Sequence, residues 1–100
     1  MNVDFSSFVV SVASGAATAL NEVETLKDGK MTGPDGEQRD VSPEEAKQQS
    51  EMALNAARQL IDTLAMLEEK TKGNLTDAER QVLQGSLANL RIAFVKAAGG

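Results

Sequence analysis

Residues 42–79 read SPEEAKQQSEMALNAARQLIDTLAMLEEKTKGNLTDAE, and the fold is decided in this stretch. Ser42 can cap a helix, Pro43 suits the first helical position, and Glu44 and Glu45 favour the positive end of the helix dipole. No Gly or Pro interrupts Glu44–Lys72, which predicts one helix of 29 residues, about 44 Å long at 1.5 Å per residue. Ala46, Ala53, Ala57, Leu60, Leu64 and Leu67 form its apolar seam, and Leu54 and Ile61 widen it. Arg58 with Asp62 and Glu68 with Lys72 stand four residues apart as surface ion pairs, each worth a few tenths of a kcal/mol. Lys70 and Lys72 suit the negative end of the dipole, and Gly73 is the natural stop. Thr76 then caps a further helix, with Asp77 in its first turn and Glu79 three residues after the cap. A connection as short as Gly73–Leu75 makes the two helices antiparallel neighbours.

Working outward, Leu83, Leu87, Leu90, Phe94 and Ala97 repeat a four-three spacing, and Gly99-Gly100 follows them. Before the long helix, Asp4 to about Lys27 carries Phe5, Val9, Val12, Ala16, Ala19 or Leu20, and Val23 on one face. The opposite stripe, Ser7, Ser11, Ser14, Thr18 and Asn21 with Gly15 beside it, is small and uncharged. It suits either a solvated face or the close approach of another helix. The expected fold class is all-α: three amphipathic helices near 4–27, 43–72 and 76–97. Helices two and three form a hairpin, the N-terminal helix docks on it, and dimerisation completes the structure.

Between the first two helices, residues 28–42 are expected to be a flexible loop. Lys30–Thr32 and Glu37–Arg39 could flank a hairpin about Gly33-Pro34-Asp35-Gly36, but a mobile loop is the expected state. A calcium loop is excluded, because Lys30 sits where a ligand oxygen is needed and Arg39 where the bidentate Glu belongs.

With 100 residues and 10.6 kDa, the expectation is one domain over 1–100. The net charge of −5 and the absence of any basic cluster argue against nucleic acid and anionic membranes. Phe5–Asn21 lacks formal charge but is broken by four hydroxyl residues up to Ser14 and by Thr18. The only early charge is Asp4, so neither a signal peptide nor a membrane insertion is expected. The chain has no Cys or His, which removes thiol nucleophiles, imidazole acid–base chemistry and Cys/His metal sites. Glu68 and Glu69 point about 100° apart and make no glycosidase-like pair. No phosphate-binding loop is present, since Gly33-Pro34-Asp35-Gly36 lacks the following Lys-Ser/Thr. The expectation is therefore no enzyme, no catalytic residue, no cofactor and no metal. Freedom from cysteine fits a reducing cytoplasm.

Val3-Asp4-Phe5-Ser6-Ser7-Phe8-Val9, Ala57-Arg58-Gln59-Leu60-Ile61-Asp62 and Met66 through Thr76 together resemble the short bacterial proteins of the domain of unknown function 1844 family. Leu90-Arg91-Ile92-Ala93-Phe94-Val95 is similar to the Leu-rich final helix of its members, and Glu69–Thr76 is the most distinctive part. The resemblance spans about three quarters of the chain. It implies a bacterial source and a helical fold, carries no activity or catalytic residue, and leaves the longer Lys30–Asp40 segment aside.

Interaction is what remains. Gly85, Ala88, Ile92 and Val95 lie opposite the Leu83–Phe94 seam, so a lone three-helix bundle could not bury both faces of the last helix. A compact 100-residue globule is only about 33 Å across. The 44 Å helix is therefore expected to overhang, with its Ala53–Leu67 stripe covered by a two-fold partner. The expected homodimer contacts are Phe5, Phe8, Val9 and Val12 of the first helix, docked away from its own hairpin, and Ala88, Ile92 and Val95 of the third. Lys70 and Lys72 are a secondary candidate for an anion or acidic partner beside the start of the last helix. The function expected is a self-associating interaction or accessory module with an unidentified protein partner. The alternative is a bundle that binds a small apolar ligand or lipid.

Overall fold

The structure, a computed structural model, describes residues 4–99. In chain order it contains α1 (Phe5–Lys27), β1 (Lys30–Thr32), β2 (Gln38–Asp40), α2 (Pro43–Lys70) and α3 (Asp77–Gly99). Val3 and Gly100, used above in the family resemblance and the final helix stop, lie outside the described residues.

Each helix starts where a side chain can accept a free backbone N–H. The Asp4 carboxylate accepts from Ser7 N–H at 2.7 Å, and Ser42 Oγ accepts from Glu45 N–H at 3.1 Å. At α3 the box closes fully: Glu79 N–H donates to Thr76 Oγ1 at 3.1 Å, and Thr76 N–H donates to Glu79 Oε1 at 2.9 Å. The α2 start forms only half of that arrangement, because the Glu45 carboxylate turns to Arg39 of β2, 3.3 Å away. Helix α2 stops at Lys70, two residues before the expected end. Thr71 N–H bonds the Leu67 carbonyl at 2.9 Å, and Gly73 takes φ +87°, a conformation costly for any residue with a Cβ. Helix α3 runs on to Gly99, past the expected Ala97.

The 28–42 connection is a paired hairpin instead of an irregular loop. Strands β1 and β2 are antiparallel, with Lys30 opposite Asp40, Met31 opposite Arg39 and Thr32 opposite Gln38. Gly36 N–H bonds Gly33 O at 3.0 Å, Gly36 sits at φ +82°, and the Asp35 carboxylate accepts from Glu37 N–H. The second strand is thus one residue later than the sequence suggests, because Glu37 is used by the turn. The pairing is fastened by cross-strand and tertiary contacts. Lys30 bonds Asp40, and Arg39 reaches both Met31 Sδ and Glu45. The two cations that exclude calcium are therefore the hairpin's own fasteners.

Helix α1 lies against both α2 and α3, running antiparallel to the first and parallel to the second. The Lys27 ammonium at its end approaches the Lys96 carbonyl near the end of α3, at 3.4 Å. Val9, Ala16, Leu20 and Val23 of α1 meet Ala53, Ala57, Ile61 and Leu64 of α2, and Leu83, Leu87, Leu90 and Ala97 of α3, in one buried cluster. Leu26 is also buried and extends the α1 seam by one more four-three step. Among the described residues no polar side chain is buried, so the core is held by apolar packing alone.

Two expectations about size and docking are corrected. The chain is elongated, 48 × 31 × 15 Å with a radius of gyration of 15.4 Å, so α2 fits along its longest dimension. The α2 stripe is covered by the chain's own α1, which at 23 residues is about 34 Å long, and no second copy is needed there. Helix α1 therefore docks on its own hairpin. Val9, expected at an interface between copies, is 0% exposed within the chain's own core. Phe5 and Val12 are half-buried against the same core.

Gly73→Ala should destabilise the fold by about 1 kcal/mol, read as a lower midpoint in thermal melting. No atom stands within 4 Å of an added Cβ there, so the loss is conformational. Acid should act at two carboxylates. Asp4 is held below its ordinary value of 3.8 by the Ser7 N–H that it accepts, and Asp40 by its hydrogen bond to Lys30 and then by the Lys30 charge. A pKa depressed in the folded state stabilises that state above 3.8, and the stabilisation is lost as pH falls below it through the folded value. Carboxyl titration by NMR should find both groups titrating below 3.8, and Lys30→Gln should return Asp40 towards 3.8.

Candidate functional site

Helix α3 carries two seams. Leu83, Leu87, Leu90 and Ala97 face the core, while Gly85, Ala88, Ile92 and Val95 point outward. Ile92 is 69% exposed and Val95 70%, the two most exposed large apolar side chains among the described residues. Ala88 is exposed between them and the start of the helix, and around Gly85 there is open space. Glycine inside a helix costs about 1 kcal/mol relative to alanine, and nothing within the chain uses the missing Cβ of Gly85.

Beside this seam a groove runs between α2 and α3, lined by Arg58, Ile61, Asp62, Arg91, Phe94 and Val95. The expected Arg58–Asp62 pair is not formed. Arg58 crosses the groove and lies over the Phe94 ring, 5.4 Å from its centroid. Its stem and guanidinium thereby cover an aromatic face that helix packing leaves half open. Periodicity along α2 carries no sign of this contact, since the partner ring is on another helix. Glu68 and Lys72 do not pair either, because Lys72 lies beyond the end of α2 and has left the helical spacing.

The N-terminal candidates separate. Of Phe5, Phe8, Val9 and Val12, only Phe8 stays exposed, at 47%, with Val10 beside it. The five-member polar stripe from Ser7 to Asn21 is solvent-exposed. Gly15 has a packing reason, since a Cβ there would stand 3.3 Å from Leu60 Cδ1 of α2, so the small residue lets α2 approach.

Lys70 and Lys72 are both exposed. Lys72 borders a hollow beside the α2–α3 turn together with Glu68, Glu69 and Arg80, and Arg80 is committed to Asp77. Two carboxylates thus offset two cations, and positive charge is not concentrated. Among the described residues no group of three Asp, Glu, His or Cys converges as a metal site would require, and no helix is long and apolar enough to cross a membrane.

Reversing both lysines, Lys70→Glu with Lys72→Glu, should leave the fold intact. The loss should be less than about 1 kcal/mol for each, because exposed charges and helix-end dipole contacts are worth no more. Circular dichroism through a thermal melt checks this.

No curated protein and no solved structure is significantly similar to this sequence. The family described as domain of unknown function 1844 matches residues 2–96, which includes the hairpin segment that the resemblance had left aside. A match over residues 2–96, nearly the whole chain, makes this protein a member of the domain of unknown function 1844 family.

Proposed function

We propose that this chain is a non-catalytic, self-associating interaction or accessory module that works in the cytoplasm and takes a further protein as partner. One observation carries the reading: α3 holds a second apolar seam, ending in Ile92 and Val95, after its first seam has already built the core. Scattered exposed aliphatics are ordinary, but here they recur at helical spacing on one face. The cytoplasmic setting rests on a chain free of cysteine.

Binding of a small apolar ligand is the competing use of the same surface, with the α2–α3 groove as its place. Sedimentation equilibrium at micromolar concentration should give a mass of at least two chains without added ligand. A well-folded monomer would overturn the proposal, and copurification of an apolar molecule with that monomer would establish the ligand reading instead.

A further inference from the structure

We infer that the groove between α2 and α3 binds a small apolar carboxylate, of the size of a medium-chain fatty acid, through Arg58 and Arg91. The inference goes beyond self-association and does not depend on it, because the groove lies beside the outer seam of α3 and shares only Val95 with it. Arg58 and Asp62 stand on the α2 side, Arg91, Phe94 and Val95 on the α3 side, and Ile61, which is buried, belongs to the floor. An apolar lining with a few polar groups at its edge is the build of small-molecule clefts. The volume, about 280 Å³, is at the small end of such clefts. At roughly 30 Å³ for each group the size of a water molecule, it has room for about nine, close to an eight-carbon acid.

Charge selects the anion. The chain has 15 acidic residues against 10 basic ones, so carboxylates available for pairing are in excess. Arg39 is paired with Glu45 and Arg80 with Asp77, yet the two remaining arginines, Arg58 and Arg91, have no ion pair among the described residues. Both border this one groove. Arg58 passes over Asp62, one turn away, to cover the Phe94 ring, and a guanidinium over a ring face still offers its edge N–H groups to a carboxylate. Two guanidiniums against the single Asp62 carboxylate leave a net charge of +1 at an apolar floor, within a chain of −5. The other hollows lack this surplus: Glu68 and Glu69 offset Lys72 and Arg80 beside the α2–α3 turn, and Glu24 offsets Lys96 between α1 and α3. An apolar tail over Ile61, Phe94 and Val95 with its carboxylate at the arginines meets both the floor and the charge.

The isotope-labelled full chain is titrated by NMR at neutral pH with octanoate, and with octanol and octylammonium as its neutral and cationic counterparts. Octanoate should shift the amides of Ile61, Asp62, Arg91, Phe94 and Val95, octanol should bind at least tenfold more weakly, and octylammonium should leave these amides in place. Arg91→Gln should raise the octanoate dissociation constant at least fivefold. Asp62→Asn, which removes the opposing charge, should lower it. Both positions are exposed and outside the core, so the variants should fold, which circular dichroism checks. Octanol binding as tightly as octanoate overturns the role of the arginines, and weaker binding by Asp62→Asn overturns the choice of a simple anion. Shifts that miss the groove, or no shifts at all, overturn the site. Groove amides that move on dilution without octanoate show a second copy seated there, which overturns this inference and leaves self-association standing. Sedimentation of the wild type without octanoate tests self-association separately.

Discussion

Burial of α1 along the small-residue seam of α2 is the contact on which the other packing depends. Ala53 and Ala57 keep α2 narrow there, and Gly15 removes the Cβ that would crowd Leu60, so the two helices lie close along much of their length. With α1 in place, Val9, Ala16, Leu20 and Val23 have one side left to present to α3, and Leu83, Leu87 and Leu90 close over it. Remove α1 and the hairpin of α2 and α3 would expose a continuous row of leucines. The hydrophobic effect is the only strong term available, because no polar side chain of the described residues is buried and the four ion pairs are exposed.

That contact also explains why Val9 is withdrawn from the expected interface and Phe5 and Val12 are half-buried. From the sequence, Phe5, Val9 and Val12 are simply the apolar face of a helix, and periodicity is the same whether the covering surface is in the same chain or in another. Choosing between them needs the length of the connection and the shape of the whole. An elongated body 48 Å long leaves no overhang for α2, so the first helix is consumed at home. Helix α3 escapes this ambiguity because it carries two seams at once, and a bundle of three helices can use only one of them.

Much of the fold was legible for local reasons. Caps at Ser42 and Thr76, the stop at Gly73 and the four-three spacing of Leu83–Ala97 all act within a few residues, so they can be read along the chain. What could not be read depends on side chains choosing among distant partners. Arg58 prefers the Phe94 ring to Asp62 one turn away, and Glu45 leaves its capping box half made in order to bind Arg39. The hairpin belongs to the same class. Its turn residues were recognisable, but pairing of Lys30–Thr32 with Gln38–Asp40 is held by the Lys30–Asp40 contact and by the tie to α2. At the candidate site, Ala88, Ile92 and Val95 were visible as a surplus face, whereas the groove spanned by Arg58 was not.

The hairpin has a kinetic meaning as well. Helices α1 and α2 are antiparallel neighbours joined by residues 28–42, and the entropy lost in closing such a connection rises only slowly with its length, by about 0.6 kcal/mol for each doubling. The paired ribbon holds the ends of α1 and α2 beside each other and shortens the stretch left to close when they pack. Packing of α1 with α3 joins the segments farthest apart in the sequence, while most contacts are local, the property that lets small helical proteins fold in microseconds to milliseconds.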